Sequence, residues 1–388
     1  MSQRWLKALP ALGLVALLSC TSVPVQAPPE AQAPQPEQPQ PQASSSSAAG
    51  PEPFRVRRAG SVWEAVDWSS LPGYEGDTLA EAWNAWLKSC ERPPSTWAAV
   101  CPQVRQLSLA DEAGKRAWLQ STLQPYKVVA PDSGSDRGLL TSYFEPELQA
   151  SRLRQGAFNV PLYAAPSQLR ARQPWFSRQE IDTLAQAQAA LEGRVIAYLD
   201  SAVDAMSLQI QGSGRVRITE PDGRIRLVRL AFAGHNGHTY ASIGRYLIDQ
   251  HGLRDASWPG IKDWLARHPQ WLQTVLWQNP RVVFFKEEAL SAFEAGFGPR
   301  GAQGVALTPG RSIAVDPRSI PYGTPVWLSS SGPLQNLQRL VLAQDTGGAI
   351  VGAVRADYFA GWGAQAGEFA GRMKQSLHLW VLWPKGVN

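Results

Sequence analysis

Beyond Arg281 the chain becomes a succession of short apolar runs, at 282–285, 313–315, 326–328, 340–343 and 377–382, parted by Gly/Pro turns such as Pro321-Tyr322-Gly323. Runs of this length, rich in Val, Ile, Leu and Phe and bounded by turn formers, read as strands. Many short strands with little helix between them predict a small barrel. Farther upstream, 195–199, 206–210, 216–218 and 225–231 read as strands too. Helical signals are fewer. Thr78 to Glu81 spells a capping box, after which Leu79, Trp83, Trp86, Leu87 and Cys90 share one face. Ser177 to Glu180 spells a second, leading into Ile181, Leu184 and Leu191 before Gly193. Stretches 242–248 and 261–268 are helical by periodicity. A chain of 388 residues, 44% of them hydrophobic, supports two folded domains with real cores.

The first 53 residues differ in kind. Arg4 and Lys7 precede an apolar stretch at 8–18, too short to span a bilayer, so 1–19 reads as a signal peptide. Its ending, Leu17-Leu18-Ser19-Cys20, resembles a bacterial lipobox, which makes Cys20 the lipid-modified residue; the alternative is a plain signal peptide cut elsewhere. Residues 20–53 are rich in Pro, Gln, Ala and Ser and bury too little apolar surface to fold, so they read as a tether. Cys90 and Cys101 are then the candidates for a disulfide in an oxidising periplasm, or else two free thiols. The formal charge of +5 falls to +3 when Arg4 and Lys7 leave, 35 basic residues then facing 32 acidic. This excess suits an anionic polymer, and no Lys/Arg cluster or motif points to nucleic acid. His235 and His238 are three apart but lack further ligands in sequence, so no metal site is expected.

Chemistry concentrates after the 340–343 run, where Asp345-Thr346-Gly347-Gly348 opens a glycine-rich turn and Asp357 follows Arg355. A partly desolvated carboxylate at such a turn keeps its proton near neutral pH and serves as an acid. Equally, Asp345 serves only to cap the turn. Asp345-Thr346-Gly347 also spells the aspartic-protease signature, with Asp132-Ser133-Gly134 as a second copy. Against this, Ala343 and Gln344 stand where a protease loop wants apolar neighbours, and Asp132 lies in a polar loop tip. Gln211-Gly212-Ser213-Gly214 lies between strand-like runs. It reads as a hairpin turn, or as backbone approaching a ligand while Gln211 and Ser213 bond sugar hydroxyls. Glu145 and Glu147 end a strand, and are the candidates if a second carboxylate takes part in glycoside chemistry. Sixteen Trp residues suit sugar stacking, yet Trp83, Trp86, Trp264 and Trp271 fall in helical patterns and belong to a core. Trp362, close to Asp357, is the one placed at a glycan.

Six blocks follow one another in a familiar order: LTSYFEPEL at 140–148, IQGSG at 210–214, GHNGHTYASIGRY at 234–246, NPRVVFF at 279–285, AVDPRSIPYGT at 314–324 and QDTGGAI at 344–350. In these the chain resembles the membrane-bound lytic murein transglycosylase A family, from about residue 54 to its end. The resemblance implies a mainly β fold with some α. A double-psi β-barrel domain is formed by both ends of the folded region, 54–145 with helices and 281–388, with a second β-rich domain inserted at 146–280. It implies non-hydrolytic cleavage of the β-1,4 bond between N-acetylmuramic acid and N-acetylglucosamine, leaving 1,6-anhydromuramic acid ends, without cofactor or metal. Asp357 matches the single catalytic acid/base, and Asp345 and Asp316 match two supporting aspartates. Thr141, Tyr143, Gln211, Gly212, Ser213, Gly214, Gly347 and Gly348 are the implied substrate-binding positions. Val351 departs from the family pattern, where Lys is frequent. The implied partners are peptidoglycan glycan strands and a membrane, reached through lipid on Cys20 at the periplasmic face of the outer membrane. Wall-synthesis or divisome proteins are further candidates, and nucleic acid is not one. A non-catalytic peptidoglycan-binding lipoprotein and an aspartic protease are the competing classes.

Overall fold

Alternating apolar and polar positions carry much of the chain into strands, and the computed structural model, which describes residues 54–169 and 173–387, gathers them into two sheets. In chain order the strands are β1 (Arg55–Arg57), β2 (Val62–Ala65), β3 (Leu123–Val129), β4 (Gly138–Glu145), β5 (Glu147–Ser151), β6 (Val160–Tyr163), β7 (Val195–Leu199) and β8 (Gly214–Thr219). They continue with β9 (Ile225–His235), β10 (Val283–Ala289), β11 (Ser312–Val315), β12 (Pro325–Ser331), β13 (Leu337–Asp345), β14 (Arg355–Trp362) and β15 (Lys374–Pro384). One sheet holds β1–β4 and β11–β15; the other holds β5–β10 in the order β10-β9-β8-β5-β7-β6. The signal peptide, tether and Cys20 lie outside the described residues.

The first sheet closes on itself. β15 pairs with β12 along one side, and with β4 through Lys374–Thr141 to Leu377–Gly138 along the other. The ring β4-β15-β12-β13-β11-β14 returns to β4 and leaves no free edge, with β11–β13 and β14–β4 parallel and the other four junctions antiparallel. The protein is thus mainly β with some α, a double-psi barrel drawn from both ends of the folded chain with a second β-rich part inserted. The run at 282–285, expected to open the second barrel segment, belongs elsewhere: Val283–Ala289 pairs antiparallel with β9 and edges the other sheet. Its apolar content marks a buried strand without saying which sheet buries it.

Local signals and observed elements differ in instructive places. Residues 206–210 are not a strand but the second half of a helix, Ala202–Gln211, whose N-cap Ser201 accepts from the Asp204 N–H and which Gly212 ends at φ 82°. A short apolar run is compatible with either element, and here the caps decide. Gln211-Gly212-Ser213-Gly214 is therefore a helix C-terminus leading into β8, not a hairpin. Ser177 and Glu180 form a true capping box, but its helix ends at Thr183 and a second runs from Ala185 to Leu191. Thr78 makes no side-chain cap. The Leu79 and Ala80 N–H groups instead donate to the Glu112 carboxylate at 2.8 and 3.0 Å, while Glu81 pairs with Arg311 at 2.7 Å. Trp83 and Trp86 are buried in the barrel core with β12 and β13, whereas Trp271 is 38% exposed rather than core. Cys90 and Cys101 are joined as a disulfide with Cα atoms 5.5 Å apart. Among the described residues no helix is long and apolar enough to cross a membrane.

A single residue, Pro146, separates β4 of the barrel from β5 of the second sheet. Beside it Glu145 is fully buried and paired with Arg215 at 2.9 Å and Arg229 at 2.6 Å, both from the second sheet. The two guanidiniums also donate to the Phe297 carbonyl, at 3.0 and 2.7 Å, tying in the return crossing. A buried ion group of this kind resists removal of any one member. It locks the step from one sheet to the next.

Candidate active site in the cleft between the sheets

A cleft of about 700 Å³ lies where the two sheets face, with β4, β13 and β14 on one wall and β9, β10 and the Ala202–Gln211 helix end on the other. Asp345 and Asp357 both line it. Twelve positions apart in sequence, they become neighbours because β11 runs between their strands: Ala314 pairs with Asp345 on one side and with Asp357 on the other. Two strand spacings put their Cα atoms about 10 Å apart.

β4 supplies the partners. Residues at alternate positions of a strand share a face, so Thr141, Tyr143 and Glu145 point the same way. Thr141, in register with Asp357, donates its hydroxyl to Asp357 Oδ1, and Arg355 Nη2 donates to the same hydroxyl oxygen at 2.8 Å. The Tyr143 hydroxyl donates to Asp345 Oδ2 at 2.8 Å, and the Ala302 N–H donates to Asp345 Oδ1 at 2.9 Å. Gln344, fully buried, fixes the backbone just before Asp345 by donating to the Ala85 carbonyl at 2.7 Å and to Ser89 at 2.8 Å. Gly301 packs so close to the Gln344 carbonyl that a Cβ there would stand 2.5 Å from it. A side chain at this position would push the Ala302 N–H away from Asp345.

Burial raises both carboxyls above the usual aspartate range. For Asp345 the hydrogen bonds from Tyr143, Thr346 and Ala302 oppose that rise. For Asp357 the Thr141 hydroxyl and the Arg355 charge oppose it, while the negative charge of Asp345 adds to it. Asp345 thus has three donors working against its burial, while the Asp345 charge works with burial at Asp357. Tyr143 is pushed well above its ordinary value by burial and by the charge of Asp345, so it remains a donor.

The other predicted positions separate into those the cleft brings together and those it does not. Gln211, Gly212, Ser213, Gly347 and Gly348 line it, as does Tyr143. Gln211 spends its side-chain oxygen on the Phe144 N–H at 3.0 Å, leaving its amide nitrogen for a ligand. Neither Gly347 nor Gly348 is among the left-handed glycines, so the turn uses them for room rather than for backbone freedom. Thr141 and Gly214 do not line the cleft; Thr141 serves Asp357, and Gly214 packs against Leu208 and the Pro146 carbonyl. Asp316 does not line it either. Its carboxylate accepts from Arg318 at 2.8 Å and from the Gly352 N–H at 3.0 Å, and the Arg318 contact holds it below the usual range. Together with Thr346, which donates to the Val315 carbonyl at 2.8 Å, it clips both ends of the 346–352 loop to the end of β11.

Three alternatives lose their geometry. Glu145 is locked in its ion group, and Glu147 lies outside the cleft lining, so neither supplies a second carboxylate. Asp132 is exposed in the β3–β4 turn, and no carboxylate from it meets Asp345. Trp362 lies under the Arg215 guanidinium, 3.8 Å from the ring centre, not on the cleft surface. An exposed aromatic that does line the cleft is Phe232, 49% exposed on β9. With it come His235, Tyr240, Arg281 and Lys286, which sequence reasoning missed. The available signal was the apolar run of β9 continuing beyond its buried stretch into Gly234-His235. Among the described residues no three His, Cys, Asp or Glu side chains converge as metal ligands.

The family model for the "MltA specific insert domain" matches residues 139–286, and that for the "3D domain" matches 311–383. Membrane-bound lytic murein transglycosylase A of Escherichia coli K12 is 36% identical over 253 residues, 62% of this chain and 64% of the relative, so the matched region spans less than two thirds of that protein. The solved lytic transglycosylase LtgG of Burkholderia pseudomallei is 38% identical, with a TM-score of 0.57, covering 86% of this chain and 98% of that one. E. coli MltA with bound chitohexaose is 26% identical, with a TM-score of 0.64, covering 86% and 95%. With two family models on the two sheets and these relatives alongside, the chain belongs to the membrane-bound lytic murein transglycosylase A family.

Proposed function

We propose that the protein is a peptidoglycan lytic transglycosylase, with Asp357 as its single general acid and base. The observation that carries this reading is a buried carboxyl, Asp357, lining a cleft of about 700 Å³ next to a second acid, with burial and the Asp345 charge both raising its pKa. The protonated Asp357 donates to the glycosidic oxygen as the bond from muramoyl C1 breaks through an oxocarbenium-like state. The carboxylate so formed takes the proton of the muramoyl C6 hydroxyl, whose oxygen bonds to C1 and closes the 1,6-anhydro ring. The hydroxyl is already attached to the reacting sugar, so its effective concentration is high and no water need be activated. Asp345 and Tyr143 hold the field that keeps Asp357 protonated, Arg355 and Thr141 aim it, and Gln211 and Ser213 bind sugar hydroxyls. E. coli MltA binding chitohexaose supports a glycan in this cleft.

The test is a mass spectrum of products from purified sacculi incubated with the protein. Anhydro-muropeptides are expected from wild type and none above background from Asp357→Asn. Release of reducing ends instead would make the enzyme a hydrolase, and no release by wild type would leave a glycan-binding protein. Lipid on Cys20, placing the protein at the periplasmic face of the outer membrane, is part of the same proposal; loss of membrane fractionation in Cys20→Ala checks it.

A further inference from the structure

We infer that Arg281 makes the cleft selective for strands whose muramoyl residue carries a carboxylate on its C3 substituent, the guanidinium taking that carboxylate beside the Gly347-Gly348 turn. This rests on the transglycosylase reading and adds to it a substrate preference set on the wall opposite Asp357.

Arg281 lines the cleft at the entrance to β10, and its backbone is held on both sides. Its N–H donates to Asn279 Oδ1 at 3.3 Å, and its carbonyl accepts from Arg178 Nη2 at 2.5 Å; Asn279 and Arg178 are themselves buried. The side chain thus leaves a fixed point. A guanidinium has five N–H bonds to donate. Among the described residues the side chain of Arg281 makes one hydrogen bond, from Nη1 to the His238 carbonyl at 3.1 Å, and enters no ion pair. Across from it is Gly348, where an added Cβ would stand 3.9 Å from Nη1. The glycine itself puts no side chain against the fork.

The neighbouring charges are already committed or solvated. Arg355 spends its donors on the Leu139 and Ala356 carbonyls and on Thr141. Lys286 pairs with Glu288 at 2.7 Å. Arg300 is exposed on the rim, where an ion pair contributes little. His235 is held toward its neutral form by burial and by the charge of Arg281, and its Nδ1 accepts from the Gly237 N–H. A half-buried, positioned and unpaired guanidinium is matched by a planar anion able to accept two parallel hydrogen bonds. The N-acetylglucosamine units of a murein strand are neutral. Its ionised groups hang from muramoyl C3, either as the free lactyl carboxylate of a peptide-stripped strand or as carboxylates of an attached peptide.

The experiment uses the whole protein with three substrates: peptide-bearing strands, peptide-stripped strands with free lactyl carboxylates, and stripped strands converted to lactyl methylamides. Wild type is expected to show kcat/KM about tenfold or more above the methylamide for at least one carboxylated substrate. Arg281→Gln brings that ratio to within about twofold of one, and Arg281→Lys, which keeps the charge but loses the fork, leaves an intermediate ratio. A preference confined to peptide-bearing strands assigns the peptide carboxylate, and one present on stripped strands assigns the lactyl group. The same ratios are read as Kd on Asp357→Asn, so they stand even if no anhydro product forms and the transglycosylase reading fails. A wild type without preference, or an Arg281→Gln variant that keeps it, overturns the inference. So does a variant that loses all three substrates equally.

Discussion

Glu145 and Asp357 are two carboxylates set against the same face of β4, and they serve opposite ends. Glu145 lies between two guanidiniums from the second sheet, which neutralise it and make it a fastener. Asp357 receives one hydroxyl, feels one offset guanidinium, and faces another acid across β11. Burial alone therefore does not decide what a carboxyl can do. What separates the two is the number of cations that come with the desolvation.

The largest expected break in this comparison is at Asp357. Asp357→Asn should lower kcat on sacculi by about 10²- to 10⁴-fold, the usual range for a lost general acid, with glycan Kd little changed; isothermal titration against chitin oligosaccharides reads the second quantity. Glu145→Gln attacks the other member. It leaves Arg215 and Arg229 buried with half their partner, so unfolding free energy should fall by about 3–5 kcal/mol in urea melts.

The third test sets stability against pH. A carboxyl raised in the folded state binds its proton more tightly there than in the unfolded chain. Between the two pKa values the native state therefore holds more protons, and stability falls as pH rises through that window. Asp357→Asn removes this cost, so at pH 7 the variant should be more stable than wild type by about 0.5–2 kcal/mol. The gain should vanish below about pH 4, where both states are protonated. A variant less stable than wild type at pH 7 would mean that the Asp357 carboxylate is held by favourable partners, against this reading.

The smallest effect probes the coupling itself. Without its hydroxyl, Tyr143→Phe lets Asp345 hold a proton more readily and weakens the charge that keeps Asp357 protonated. Because Asp357 must start protonated, kcat/KM falls as pH rises through its pKa. That descending limb should move toward acid in the variant, by a fraction of a unit to about one unit. An unmoved limb with a lower plateau would assign Tyr143 to substrate contact instead.

Much of this was legible along the chain. The strands from 313 onward announce themselves by short apolar runs and turn residues, and Asp345 by the glycines behind it. Ser177 and Glu180 read correctly as a capping box because both halves of that device lie within one turn. Thr78 and Glu81 spell the same device and do not use it, because Glu112 and Arg311 compete from 33 and 230 residues away. The 206–210 run misled for a related reason, since its apolar residues suit strand and helix alike. Glu145 looked like a catalytic candidate because its partners are 70 and 84 residues distant. Trp362 looked like a sugar platform until Arg215 covered it.

Local order along the chain was enough to specify the β-rich composition of the fold, the turns that punctuate it and the two aspartates that turn out to line the cleft, because each depends on side chains a few residues apart. Sheet membership, the pairing of Asp345 with Asp357 across Ala314, and the division of carboxylates into those paired with cations and those lining the cleft required the closed barrel and its facing sheet. Those outcomes depend on desolvation and on which cation arrives from a distant strand, and neither is a property of any short stretch of residues.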